Sequence, residues 1–388
     1  MKNVKELVNQ HMLKLCNEIG ARATGSKSNQ EAVMYASKVF EELGLKVIKQ
    51  EFECMDWENE GGLLEVDNNN IEVEAAEYSL PCDVKGETIC IDTISKLKET
   101  NITGKICILY GELCKETLMP KSFTFWNPEE HQEIIRTLET KKPLAIITVS
   151  YLEEVAVSII QDGDFMIPCA TIKGKYLNTI LKSNTIHLQL LTKRKPSISA
   201  NIIATYGTGN QKVAFSAHID TKPTTPGALD NASGVATLLA LAAQIVENEY
   251  PYQIEFALFN GEDYYSTPGE MIYMNSYLQH SEDYICAFNV DGVGMKDSKT
   301  SFSFYECPEN LQNDIRRFSD NYKTIEEIEP WPMGDHMLYA SVGIPAIAMT
   351  ASKIFMLMES VMHTPEDNLS IVDMEKIIDT ILFLQGCI

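Results

Sequence analysis

Apolar residues at Val4, Leu7, Val8, Met12, Leu15 and Ile19 recur at the spacing of one helix face, which predicts a helix across the first twenty residues. A polar, glycine-containing loop at Ala23–Ser28 follows, and then a second amphipathic helix from about Asn29 to Leu43, stopped at Gly44. Lys46–Phe52 alternates as a strand. From about residue 62 to 195 the texture changes to short β-like runs at Thr88–Ile91, Lys105–Leu109, Leu144–Val149, Ile167–Ile172 and Ile186–Leu191, with one helical stretch near 128–139. Beyond 196, strand candidates at Ala200–Ala204, Val213–Ala217, Ile254–Phe259, Ile285–Val290 and Ile344–Met349 alternate with a long apolar helix, about 232–246, and a final helix, about 374–384. Gly207-Thr208-Gly209 reads as a hairpin turn and not a nucleotide loop, because no helix follows it.

Alternating strands and helices require a sheet with crossover helices. The expected fold is α/β: a mixed, mostly parallel sheet sandwiched by helices, with an inserted β-rich domain. The expected boundaries are 1–61 and 196–388 for the main domain and 62–195 for the insert. A chain of 388 residues is long enough for this arrangement, and 45% apolar with 22% charged residues is an ordinary globular composition.

Charge removes some classes of partner. With 32 basic and 55 acidic residues the net charge is −23, which argues against nucleic acid or an anionic membrane, both of which need a basic face. Ten cysteines without a C-x-x-C pair, several inside apolar runs such as Ile106-Cys107-Ile108, read as buried free thiols in a reducing compartment. No signal-like apolar region follows Met1, and no run is expected to reach membrane-spanning length. The expectation is cytoplasmic.

Candidate chemistry lies just past the strands. Val213–Ala217 ends at His218-Ile219-Asp220, Ile254–Phe259 at Asn260-Gly261-Glu262-Asp263, and Ile285–Val290 at Asp291-Gly292. Ligands of open α/β sheets bind beyond the carboxyl ends of the strands. Asp230 stands in the turn Pro226–Asn231 before the apolar helix, and His363 in His363-Thr364-Pro365-Glu366-Asp367. Two imidazoles with several carboxylates and no thiolate suit Zn²⁺ or a harder divalent ion at a catalytic site. Five protein ligands exceed one open tetrahedral zinc and fit two ions sharing a carboxylate. Adjacent Glu262 and Asp263 diverge, so one can bind metal while the other serves as general base.

In the runs Ala217–Thr221, Pro226–Val235, Asn260–Asp263, Asn289–Gly292, Gly334–His336 with Gly343–Ala346, and His363–Asn368, the sequence resembles the di-zinc aminopeptidases related to glutamate carboxypeptidase II. Residues 62–195 are similar, more loosely, to the protease-associated domain that many members carry at this point. The resemblance implies a zinc-exopeptidase fold of phosphorylase/hydrolase type. It assigns His218 and Asp291 to one zinc, Asp263 and His363 to the other, and Asp230 to the bridge. Glu262 would be the general base and Asp220 would orient His218. The implied activity is hydrolysis of N-terminal peptide bonds through a metal-bridged water, with Mn²⁺ or Co²⁺ as substitutes for Zn²⁺. The implied partner is a peptide substrate; a homo-oligomer is left open.

One residue departs from the family pattern: Asp263 stands where Glu is usual, which bears on the second ion. His336 is the rival of His363 for the last ligand position. Tyr264 and Tyr265, and the run Phe355–Met358, are candidates for pocket walls or for plain core. Two other functions fit the same scaffold: a receptor-like binding module without catalysis, which broken ligand positions would mark, and a mono-zinc acyltransferase resembling glutaminyl cyclase, which metal stoichiometry would mark.

Overall fold

The second helix begins where Ser26 Oγ accepts the Asn29 N–H at 3.1 Å, an N-cap that makes Lys27–Glu42 the helix proper. The first, Val4–Leu13, is capped by Asn3 and continues as one wider turn, Lys14–Ile19, which Gly20 ends at φ 78°. Residues 3–123 and 125–388 are described by the structure, a computed structural model. The chain divides into two compact units, one of Met1–Cys54 with Ser197–Ile388 and one of Met55–Pro196. Both junctions fall inside long strands, Lys46–Val66 and Thr185–Tyr206.

In the first unit, four parallel strands form the centre of the sheet, in the order Ala346–Ala351, Tyr284–Val290, Lys212–His218 and Gln253–Phe259. Thr300–Tyr305 joins one side antiparallel to Ala346–Ala351, with Ile325–Glu327 outside it, and residues 202–206 join the other side antiparallel to Gln253–Phe259. The turn Gly207-Thr208-Gly209 therefore closes no hairpin, because Gln253–Phe259 lies between the two strands it connects. Its flanks read as a hairpin locally; a crossover partner 40 residues away outcompetes them.

From Lys212–His218 the chain adds its next strand on one side and the following ones on the other. The sheet thus has a switch point at the carboxyl end of that strand, where such folds bind their ligands. Register places Phe215 opposite both Phe256 and Phe288, and the rings stack at 5.6 and 5.3 Å. Phe40 of the second helix caps the row at 5.5 Å from Phe256. Helix Ser233–Ile245 packs into the same core, with Leu238, Leu239 and Leu241 wholly buried. The stretch Ala228–Ile245 has, against expectation, the length and hydropathy of a membrane span; 89% of it is buried inside the protein, as suits a core helix.

Short elements escape the sequence pattern. Helices Pro268–Tyr277 and Glu309–Ser319 bury three residues and one, strand Ile325–Glu327 spans only three residues, and strand Thr300–Tyr305 buries polar residues as well as Phe302.

In the second unit, Cys82–Ile91, Ile106–Leu109, Ala145–Val149 and Cys169–Ile172 pair parallel in that order. Glu74–Ala75 closes one edge antiparallel and residues 185–190 the other. Alternation splits the apolar residues between two faces: Cys107, Leu109 and Ile146 pack with Ile134, Ile135 and Leu138 of helix Glu129–Lys141, while Ile106, Ile108 and Ile147 pack with Ile186 and Leu188. All ten cysteines are free thiols.

Candidate metal centre

Strand Lys212–His218 delivers His218 and Asp220 to the switch point, and both are buried. Asp220 is fixed from behind. Its Oδ2 accepts from Thr24 Oγ1 at 2.8 Å and from the Asp263 N–H at 3.2 Å, and its Oδ1 faces His218 Nδ1 at 3.8 Å. The other imidazole nitrogen, Nε2, points at Asp230 Oδ1 (3.0 Å) and Asp291 Oδ1 (3.6 Å). Across the cluster, His363 Nε2 stands 3.1 Å from Asp230 Oδ2 and 3.0 Å from Asp263 Oδ1. The two oxygens of Asp230 thus face two different imidazoles.

The turn that carries Asp230 has no room for side chains at Gly227, where a Cβ would meet the Asp230 carbonyl at 2.2 Å and φ is 56°. Asp367 holds this turn from outside: its carboxylate accepts the Leu229 N–H at 2.7 Å and the Asp230 N–H at 3.0 Å. Asn231 ties it to the neighbouring strand through the Val290 carbonyl at 2.8 Å, and the Asp230–Asn231 peptide is cis. Arg22, wholly buried, donates to the carbonyls of Leu15, Gly20, Ile219, Pro226 and Gly227. A guanidinium spent on five carbonyls clamps both ends of the loop between His218 and Asp230. The Glu262 turn has its own support, since Asn260 bonds Asn29 at 2.9 Å and Ser199 at 2.6 Å. His363 itself sits at φ 64°, unusual for a non-glycine residue and common at functional sites.

Three donor groups converge here: His218 with Asp230 and Asp291; Asp230 with Asp263 and His363; and His218 with Glu262 and Asp263. Buried Asp263 Oδ2 and Asp291 Oδ1 make no hydrogen bond within the described residues. Carboxylate oxygens buried in this way need a cation. The donor set fits divalent metal, and the shorter Asp263 side chain still reaches the group.

The electrostatics agree. Burial pushes the His218 and His363 imidazoles down, but the surrounding carboxylates, Asp291 for one and Asp263 for the other, more than offset it and hold both well above the usual range. Burial raises the Glu262 carboxyl well above its ordinary value, reinforced by Asp263, Asp335 and Asp291.

All seven residues singled out in the sequence meet at this edge. His336 does not: it is buried 3.1 Å from the Trp331 carbonyl, against the rings of Tyr305 and Trp331. Tyr264 and Tyr265 are buried with their rings 4.3 Å apart. On helix Ile354–Ser360, Leu357 enters the core, whereas Phe355, Met356 and Met358 are exposed. Arg22, Thr24 and Asp367 were not singled out, and Asp367 carried a signal only as the last acid of its motif.

The α/β sheet thus gathers imidazole and carboxylate donors around a half-buried glutamate at its switch point, a donor set that suits a divalent metal. The sequence model of peptidase family M28 matches residues 201–383, the segment that carries every ligand candidate. Over that segment, just under half of the chain, the sequence is similar to that peptidase family. It is 24% identical to the probable lipoprotein aminopeptidase LpqL of Mycobacterium tuberculosis over 63% of its own length, and spans about half (49%) of that protein. It is also 24% identical to aminopeptidase YwaD of Bacillus subtilis, over 94% of this chain and 79% of the relative. The solved structure of BSAP, a zinc aminopeptidase from Bacillus subtilis, superposes with a TM-score of 0.78 at 19% identity, covering 99% of this chain and 93% of that one, a likeness of fold.

Proposed function

We propose that the chain is a di-zinc aminopeptidase that removes N-terminal residues from peptides. The observation that carries the reading is the Asp230 carboxylate, whose Oδ1 lies 3.0 Å from one imidazole and whose Oδ2 lies 3.1 Å from the other. That is the arrangement a bridging ligand requires. His218 and Asp291 would hold one zinc and Asp263 and His363 the other. When bound, the pair would supply Lewis acidity to the scissile carbonyl and acidify a water.

The protein's own residues supply the rest. Glu262, half-buried and free of any lysine or arginine partner among the described residues, takes a proton from the attacking water and returns it to the leaving amine. Its burial raises its affinity for that proton, which suits the acid half of the cycle. Asp220 keeps the His218 ring oriented, and Thr24 keeps Asp220 in place. Ten free thiols favour a reducing, cytoplasmic setting. Residues 62–195 are assigned, by the resemblance alone, to the protease-associated type.

Hydrolysis of leucine p-nitroanilide, with metal analysis of the same sample, tests the reading. Glu262→Gln is expected to lose about 10²–10⁴-fold in rate while keeping its metal. His363→Ala is expected to lose bound metal and His336→Ala to keep it. A Glu262→Gln enzyme at the wild-type rate would refute the assignment of the base.

A further inference from the structure

The loop from Asn260 to Gly269 carries Glu262 and Asp263, and a single side chain holds both of its ends. Asn201 Oδ1 accepts the Asn260 N–H at 3.0 Å, and its Nδ2 donates to the Gly269 carbonyl at 2.7 Å. Both partners are backbone groups of known polarity, which fixes the orientation of the amide. Asn201 Nδ2 also donates to Gln50 Oε1 at 3.0 Å. Gln50 Nε2 in turn donates to the Ile272 carbonyl at 3.1 Å and to Ser276 Oγ at 3.0 Å, both on helix Pro268–Tyr277.

Nothing in the local structure calls for an asparagine here. Residue 201 lies in strand Thr185–Tyr206, where asparagine is disfavoured. Alternation puts its side chain on the face of Ile203, which packs with Ala257, Phe259 and Tyr273. The residue is wholly buried. A buried amide destabilises unless its groups are bonded, so an apolar side chain would serve stability alone better.

The two carboxylates of the loop are held differently. Asp263 has an anchor of its own, its N–H on Asp220 Oδ2 at 3.2 Å. Glu262 follows Gly261, whose φ of 113° favours glycine, so its direction depends on where Asn260 is fixed. Asn260 is fixed twice. Its amide pairs reciprocally with that of Asn29 at 2.9 and 3.1 Å, and its N–H is taken by Asn201.

We propose that Asn201 is a positioning residue for the general base: it closes the loop from Asn260 to Gly269 and so sets the aim of Glu262 at the metal centre. The inference rests on the aminopeptidase reading, in which Glu262 is that base.

The test uses the metal-loaded full chain and leucine p-nitroanilide, with metal content and Tm measured on each sample. Asn201→Ala is expected to lower kcat about ten- to a hundredfold, as a misplacement of about 1 Å does, with KM within about threefold of wild type. Its metal is retained through the separate anchor of Asp263. A second background supplies a readout that a merely structural role would not move. In Glu262→Gln, adding Asn201→Ala should lower the residual rate by less than about twofold, because the group it aims is gone. Asn201→Asp has the same shape and keeps the acceptor for Asn260, but turns an oxygen towards the Gly269 carbonyl. It should show the same pattern, which keeps the test valid if Asn201→Ala folds poorly. Equal losses in the wild-type and Glu262→Gln backgrounds, or a wild-type kcat in both Asn201 variants, would overturn the inference and leave the aminopeptidase reading standing. A wild-type chain that cleaves no aminoacyl anilide would overturn that reading, and the inference with it.

Discussion

Asp367 touches the metal centre only through the backbone, and Asp367→Ala isolates what that support is worth. The substitution removes the acceptor of two charge-assisted hydrogen bonds, from Leu229 N–H at 2.7 Å and Asp230 N–H at 3.0 Å. Both donors are buried and lose their partner, at roughly 1.5–3 kcal/mol each, for a total of about 3–6 kcal/mol. Relief of the repulsion between Asp367 and Asp230 works in the opposite direction. Burial and Asp230 push the Asp367 carboxyl up to about 6, so an assay at pH 8 keeps it ionised and the bonds at full strength. Guanidinium unfolding of the metal-free protein reads the stability, and chelator competition on the same variant reads metal affinity. A tenfold to hundredfold loss of affinity is expected, the usual effect of removing a group that orients a ligand. Asp367→Asn, which keeps one acceptor, should fall between. Stability within about 1 kcal/mol of wild type, together with unchanged metal affinity, would refute the view that this carboxylate fixes the bridging residue.

Two further outcomes follow from the geometry. At Gly234 an added Cβ would stand 2.2 Å from the Val290 carbonyl and 2.3 Å from Asn231 Oδ1, so Gly234→Ala should cost about 1–3 kcal/mol in a denaturant titration and reduce metal uptake by displacing Asn231. Wild-type metal content in that variant would contradict the role given to Asn231. Burial holds the His336 imidazole down at about 4, below its unfolded value near 6.5. The unfolded chain then binds a proton that the native state refuses, so the contribution of the neutral ring is present above pH 6.5 and is lost as pH falls towards 4. Unfolding midpoints of the metal-free wild type and His336→Gln should diverge between pH 7 and 4.5 by about 2–3 kcal/mol, and parallel pH profiles would count against the assignment.

Four of the site residues were legible in the sequence because each sits at a place that strand periodicity marks: His218 ends Lys212–His218, Glu262 and Asp263 follow Gln253–Phe259, and Asp291 follows Tyr284–Val290. His363 and His336 could not be told apart from local composition alone. What separates them is tertiary, a pair of carboxylates against one and an aromatic pocket against the other. The supports were less legible still. Arg22 serves carbonyls up to 205 residues away, and an arginine in a loop carries no local sign of that. Asp335 and Glu270, both buried, were hidden differently: Glu270 lies in helix Pro268–Tyr277 and Asp335 directly precedes helix His336–Ala340, short helices whose positions only the finished sheet determines. The false hairpin at Gly207–Gly209 has the same origin, a long-range partner that overrides a local turn signal.

The split of the first unit around residues 55–196 gives this enzyme an order of assembly. As the chain leaves the ribosome, the helices that carry Val8, Met12, Leu15 and Phe40 emerge with their apolar faces uncovered, because the core that buries them lies beyond residue 196. Closing a loop of that length costs about 4 kcal/mol if the intervening chain is unstructured, and less once it has folded and drawn in its own slack. Until then Arg22 and Thr24 have no loop to clamp and no Asp220 to hold. A nascent chain stalled before residue 363 carries the candidate base and four of the five ligand candidates, yet lacks the second imidazole. Catalytic competence is therefore acquired last, when the oldest part of the chain meets the newest.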